Sequence, residues 1–131
     1  MSITQMNVGI LTAGGVCPGV NNLIHSLTIY ETSRDNRIVG FNEGLRGLNN
    51  NARRELSRKN IEEGAGSILR VSCESVDIED AMRSMEDLER LYCICGNESM
   101  KSAAKLALDD RIETNIIGIA KTIFNDIPGM E

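Results

Sequence analysis

Met6-Asn-Val-Gly-Ile-Leu-Thr-Ala-Gly-Gly-Val-Cys-Pro-Gly-Val-Asn21 decides the fold. Met6 to Thr12 reads as a buried strand, with Val8, Ile10 and Leu11 close together and Gly9 among them. Ala13 to Gly19 has the chemistry of a turn. Val20 to about Thr32 then reads as a helix, with Leu23, Leu27 and Tyr30 on one face. A strand running through a glycine-rich turn into a helix is the opening unit of an α/β sheet.

Outward from that unit the alternation continues. Arg37 to Phe41 is a second short strand, and Asn42 to Asn51, with Gly44 and Gly47, reads as a loop. Ser57 can cap a helical turn that carries Ile61 and ends near Gly64. Ser67 to Val71 is a candidate strand. Asp77 is an N-cap candidate, with Asp80 at the third helical position. Ile78, Ala81, Met82, Met85 and Leu88 then recur at helical spacing, with Glu79, Arg83, Glu86 and Arg90 opposite. Leu91 to Cys95 is a strand, and Gly96 and Asn97 turn the chain into a helix from Glu98 to about Leu108. Its expected inner face is Met100, Ala103, Ala104 and Ala107. Thr114 to Ala120 is an isoleucine-rich final strand. The expected fold class is α/β, a single domain over residues 1–131 with three layers, α/β/α, and a mostly parallel Rossmann-like sheet.

Composition narrows the function. A net charge of −5 argues against nucleic acid as a partner. Two Phe, two Tyr and no Trp leave little for base stacking. No apolar run approaches a membrane span and the N-terminus lacks a signal layout, so a cytoplasmic location is expected. The spacing of Cys17, Cys73, Cys93 and Cys95 is not that of a zinc site. Buried thiols in a reducing compartment are the favoured reading, with metal binding the alternative.

Two loops sit where ligands bind in such folds, beyond the carboxyl ends of strands. In the loop of Gly14, Gly15, Pro18 and Gly19, leading to Asn21, the glycines let backbone N–H groups approach a phosphate, and the following helix offers its positive end. A tight turn needs the same residues, so the loop alone does not separate the two roles. Cys95-Gly96-Asn97-Glu98-Ser99 is a second strand-to-helix junction, where a helix cap is the simplest role for Asn97 or Ser99.

Five segments occur in order: Gly9 to Asn21, Gly40-Phe-Asn-Glu-Gly-Leu-Arg-Gly-Leu48, Gly66-Ser-Ile-Leu69, Ile94-Cys-Gly-Asn-Glu-Ser-Met-Lys-Ser-Ala103 and Gly118-Ile-Ala-Lys-Thr-Ile-Phe-Asn-Asp-Ile-Pro-Gly129. Together they resemble the N-terminal part of a phosphofructokinase, nearer the plant-like and pyrophosphate-type branch than the short bacterial one. The resemblance implies phosphate-handling roles at positions that match the family: Gly14, Gly15, Pro18, Gly19, Asn21, Lys121, Thr122 and Asp126. Asn125 matches as well. Arg46, Arg70, Lys101 and Lys121 are candidate cations near the strand ends. His25 reads as a surface or packing residue.

The departures fall on the catalytic groups. The resemblance implies an aspartate base where Phe124 stands, and a phenyl ring accepts no proton. It implies a magnesium-binding aspartate where Asn97 stands, and an amide oxygen is a poorer magnesium ligand. Glu98 replaces a glycine, Cys73 an arginine that faces phosphate, and Arg70 a glycine. The family's second lobe is not in this sequence. Losing a positioned base typically costs about 10²- to 10⁴-fold in rate.

The expected function is therefore non-catalytic. The protein is expected to bind a nucleotide or other phosphorylated small molecule and to sequester it as a sponge or decoy, a viral anti-defence role included. No catalytic residue, cofactor or magnesium is expected. The ligand-binding set is Gly14, Gly15, Pro18, Gly19, Asn21, Arg70, Asn97, Ser99, Lys121, Thr122 and Asp126. The alternative is a fragment or subunit of an ATP- or pyrophosphate-dependent 6-phosphofructokinase that acts with a partner chain. A homo-oligomer, with a dimer favoured, is expected because removal of the second lobe exposes apolar surface.

Overall fold

The computed structural model describes residues 5–13, 20–41, 44–57 and 77–120. In chain order the elements are β1 (Asn7–Ala13), α1 (Val20–Ser33), β2 (Arg37–Phe41), α2 (Gly44–Asn50), β3 (Arg53–Leu56), α3 (Ile78–Met85), β4 (Arg90–Cys95), α4 (Asn97–Leu108) and β5 (Asn115–Ala120). The sheet order is β3-β2-β1-β4-β5. β1 pairs in parallel with β2 and β4, and β5 with β4, whereas β3 is antiparallel to β2. The α/β expectation with a mostly parallel sheet is borne out.

Alternation along each strand divides the core into two layers. Val8, Ile10, Ile38, Tyr92 and Ile94 face α1, where Ile24 is buried and Leu23 and Leu27 pack at the margin. Leu11, Phe41, Leu91, Cys93 and Cys95 face the other way, against Leu48 of α2, Ala81 and Met85 of α3, and Ala103 and Leu106 of α4. Helices thus lie on both faces. Gly9 is required for close packing: a Cβ there meets Leu91 Cδ1 at 2.9 Å, Leu88 Cδ1 at 3.0 Å and Phe41 Cε2 at 3.1 Å.

Local signals explain most boundaries. The Asp77 carboxylate accepts the Asp80 N–H at 3.1 Å, so it caps α3 as expected. Both α1 and α2 end in Schellman geometry, with Asp35 (φ 61) and Asn51 (φ 55) in the left-handed region that short polar residues tolerate. Asn36 N–H donates to the Glu31 carbonyl and Ala52 N–H to the Gly47 carbonyl, satisfying carbonyls at the helix ends.

Several expectations need correction. The segment from Asn42 to Asn51, read as a loop from Gly44 and Gly47, contains α2; Gly47 and Leu48 are buried and α2 packs on α3. That packing outweighs the helix penalty of glycine. Strand β3 was not anticipated, because Arg53, Arg54 and Glu55 show no apolar alternation and only Leu56 is buried. On α1 the buried residues are Ile24, Thr28 and Glu31, whereas Tyr30 is 49% exposed. On α4 the buried positions are Ser102, Ala103 and Leu106; Ala104 and Ala107 point outward. Helix α3 stops at Met85, so Leu88 is buried beyond its end and Arg90 opens β4. The turn proposed around Ser57 to Gly64 lies, beyond Ser57, outside the described residues, as does the strand from Ser67 to Val71.

Candidate functional site

Strand order reverses at β1, which has β2 on one side and β4 on the other. Such a switch point opens a crevice beyond the carboxyl ends of the strands. Register sets its geometry: Ala13 is level with Cys95, and Cys95 with Ala120. Three neighbouring strands therefore end at one height. The residues next in sequence are Gly14, Gly96 and Lys121, the heads of the three segments with site candidates.

Two helices of useful length begin at this end of the sheet. α1 starts at Val20, with Asn21 in its first turn. α4 starts at Asn97, and Ser99 is its third residue and half-buried. The cap of α4 is not Asn97 or Ser99, as expected from sequence, but Gly96, in extended conformation and without any side-chain cap bond. The first N–H groups of a helix lack intrahelical partners and carry its positive dipole end, so such a terminus suits an anion. Gly14, Gly15, Pro18, Gly19, Arg70, Lys121, Thr122, Phe124 and Asp126 lie outside the described residues. Lys101 is exposed on α4, and Arg46 belongs to α2.

Near the carboxyl end of β4, Cys93 and Cys95 are buried thiols on one sheet face. Their mutual hydrogen bond, and then burial, push the Cys93 thiol well above its ordinary value. A protonated thiol neither attacks nor ligates as thiolate does, so Cys93 serves as core. Among the described residues, no three His, Cys, Asp or Glu side chains converge as a metal site. No described helix is long and apolar enough to cross a membrane.

A polar cluster that sequence reasoning missed lies at the opposite end. Glu31, fully buried on α1, accepts from Arg90 Nη1 at 2.6 Å, Tyr92 Oη at 2.9 Å and Asn36 Nδ2 at 2.8 Å. Asn36 Oδ1 in turn accepts the Met6 N–H at 3.1 Å. The available signal was Glu31 falling at helical spacing from Ile24 and Thr28, where a buried carboxylate demands partners. This cluster ties the end of α1 and the turn after it to β4, at the end of the sheet opposite the strands' carboxyl ends. A cavity of about 450 Å³, bounded by Met82, Met85, Leu88, Ile112 and Thr114 among others, also lies at the amino ends of β4 and β5.

Known proteins fit this architecture. The chain is 33% identical to chloroplastic ATP-dependent 6-phosphofructokinase 5 of Arabidopsis thaliana, over 97% of this chain and 26% of that protein. It is 30% identical to ATP-dependent 6-phosphofructokinase of Trypanosoma brucei brucei, over 95% of this chain and 28% of that protein. The chain thus spans under a third of either relative. The Pichia pastoris phosphofructokinase crystal structure in the T-state superposes with a TM-score of 0.74 at 18% identity, covering 98% of this chain and 17% of that one. At that identity the likeness speaks for the fold. A family model described as Phosphofructokinase matches residues 7–131. Five strands in this order, two helices rising from the switch point and a family match from β1 to the last residue converge on one conclusion: the chain belongs to the phosphofructokinase family.

Proposed function

We propose that this chain is a phosphofructokinase-family lobe that binds a phosphorylated small molecule, of the nucleotide or sugar-phosphate class, without transferring the phosphate. The observation that carries the reading is the common height of Ala13, Cys95 and Ala120. It starts the Gly14–Asn21 segment, the Gly96–Ser99 junction and the Lys121–Asp126 segment side by side. Backbone N–H groups at the starts of α1 and α4, with Lys121 and Arg70 as cations, hold the phosphate. No resident cofactor or magnesium ion is needed for that binding. Phe124 cannot take a proton from a hydroxyl, and Asn97 is a weak metal ligand. Sequestration of the ligand follows as the role.

A second reading is favoured by one observation, the small share of each relative that the chain spans. In it the chain is one piece of a working 6-phosphofructokinase and acts with a partner chain.

A thermal-shift panel of adenine nucleotides, cyclic nucleotides, pyrophosphate and sugar phosphates tests the first reading, alongside a coupled kinase assay. A ligand at 100 times its Kd stabilises the fold by about 2.7 kcal/mol, several degrees of melting temperature for a domain of this size. Gly15→Asp abolishes the shift by setting a carboxylate against the phosphate, and Lys121→Ala weakens it. Turnover of fructose 6-phosphate above the Gly15→Asp control overturns the non-catalytic reading. No shift across the panel, with no phosphorylated compound released on heating, overturns ligand binding.

A further inference from the structure

Two kinds of contact hold α1 to the sheet. Ile24 is buried against Val8, Ile10, Ile38, Tyr92 and Ile94, with Leu23 and Leu27 at the margin. Apolar burial is non-directional, so it holds α1 down without by itself fixing its place along the helix axis. The hydroxyls of Thr28, Thr32 and Ser33 bond back to carbonyls of α1 itself. Glu31 instead reaches the sheet. Its carboxylate accepts from Arg90 at 2.6 Å and Tyr92 at 2.9 Å, both on β4, and from Asn36 at 2.8 Å. Bonds of this length to a carboxylate are directional and charge-assisted. A slide of α1 by one residue's rise, about 1.5 Å, breaks them. Replacing a buried ion pair by apolar side chains is often neutral or stabilising, so stability alone does not call for this cluster. Registry does.

The lengths of the elements carry that registry to the crevice. α1 leads from the carboxyl end of β1 to the amino end of β2, and β1 and β2 are parallel, so α1 runs antiparallel to them. From Glu31 back to Asn21 the helix spans about 15 Å. From Arg90 to Cys95 the strand spans about 16 Å. With Glu31 pinned beside Arg90, the start of α1 therefore stands level with Cys95, the height at which β1, β4 and β5 end. We propose that Glu31, held by Arg90 and Tyr92, is a positioning residue that sets the height of the α1 N-terminus at the crevice. Its consequence for a ligand rests on the phosphate-binding reading. The first N–H groups of α1 meet a phosphate only within hydrogen-bond distance, so a slide of about 1.5 Å at the far end of the sheet costs the ligand a bond.

Nitrogen-15 NMR of the full chain reads the position of α1 through the amide signals of Val20 to Leu23. Arg90→Met moves these signals, and so does the apolar pair Glu31→Leu with Arg90→Met, although the substituted sites are about 15 Å away. Arg90→Lys, which keeps a cation beside Glu31, returns them toward those of the unaltered chain. Leu56→Ala, a core change on β3 that leaves the cluster intact, does not move them. Calorimetric titration with pyrophosphate reads the consequence. The Kd rises about tenfold in both cluster variants, the worth of one hydrogen bond to a charged group, and is unchanged in Leu56→Ala. First-turn signals that stay in place in Arg90→Met overturn the proposal. An unchanged Kd in the cluster variants of a chain that binds pyrophosphate overturns it too, and leaves the phosphate-binding reading standing. Absence of pyrophosphate binding by the unaltered chain counts against that reading instead, and the amide signals then decide the positioning role alone.

Discussion

Arg90→Met isolates the cost of the buried polar cluster. Glu31 is wholly buried, and its side chain holds three donors, from Arg90, Tyr92 and Asn36. Removing the guanidinium leaves a buried carboxylate with two hydrogen bonds and no countercharge. Breaking a fully buried pair costs about 3–5 kcal/mol. The Arg90 side chain is 23% exposed, which moderates its share, and the two remaining donors soften the loss. A destabilisation of about 2–3 kcal/mol follows, a sizeable fraction of the roughly 5–15 kcal/mol that holds a domain together. Urea titration followed by circular dichroism reads it as a lower midpoint at unchanged slope. The partner experiment fixes the cause: Arg90→Met with Glu31→Leu costs less than the sum of the two single changes, by about 1 kcal/mol or more. A loss below about 0.5 kcal/mol for Arg90→Met, the range of ordinary surface changes, refutes the reasoning, as does strict additivity.

The Tyr92 phenol is pushed above its ordinary value by burial and then by its hydrogen bond to the Glu31 carboxylate. The fold thus favours the protonated phenol. Its contribution is complete below the unfolded pKa of about 10 and is lost as pH rises through the higher folded value. Stability measured from neutral to alkaline pH falls in that window, and Tyr92→Phe lacks this component of the fall. Gly9→Ala forces a Cβ into Leu91, Leu88 and Phe41 and costs about 1–3 kcal/mol. Gly118→Ala meets only the flexible Met100 thioether, at 2.9 Å, and costs less; equal losses in urea titration contradict this. On the proposed non-catalytic reading, Phe124→Asp alone does not produce fructose 6-phosphate kinase activity, because Asn97 remains where the family resemblance implies a metal-binding aspartate; turnover in a coupled assay contradicts this.

The candidate site was legible in sequence as order and spacing. Turn residues between apolar runs announced the β1–α1 and β4–α4 junctions, because glycine frees the backbone for tight turns and proline fixes φ, wherever they stand. The role of Gly96 was not legible. A side-chain cap is the commonest device, so Asn97 and Ser99 drew the assignment that the backbone gave to a glycine. The Glu31 cluster escaped because its members lie up to 61 residues apart, on α1, on the turn after it and on β4.

Sequence alone determined the elements whose signals are local. The Asp77 cap with the apolar spacing from Ile78 to Met85, the alternation of strands and helices, and the ordered family motifs each depend on neighbours along the chain. Tertiary structure decided what depends on neighbours in space. It made a helix of Gly44–Asn50 because burial of Leu48 outweighs glycine's penalty, and a strand of Arg53–Leu56 because β2 offers that strand a hydrogen-bonding edge. It turned Ala104 and Ala107 outward and Leu106 inward. It also brought Ala13, Cys95 and Ala120 to one level. Register is a property of paired strands, and no single segment carries it.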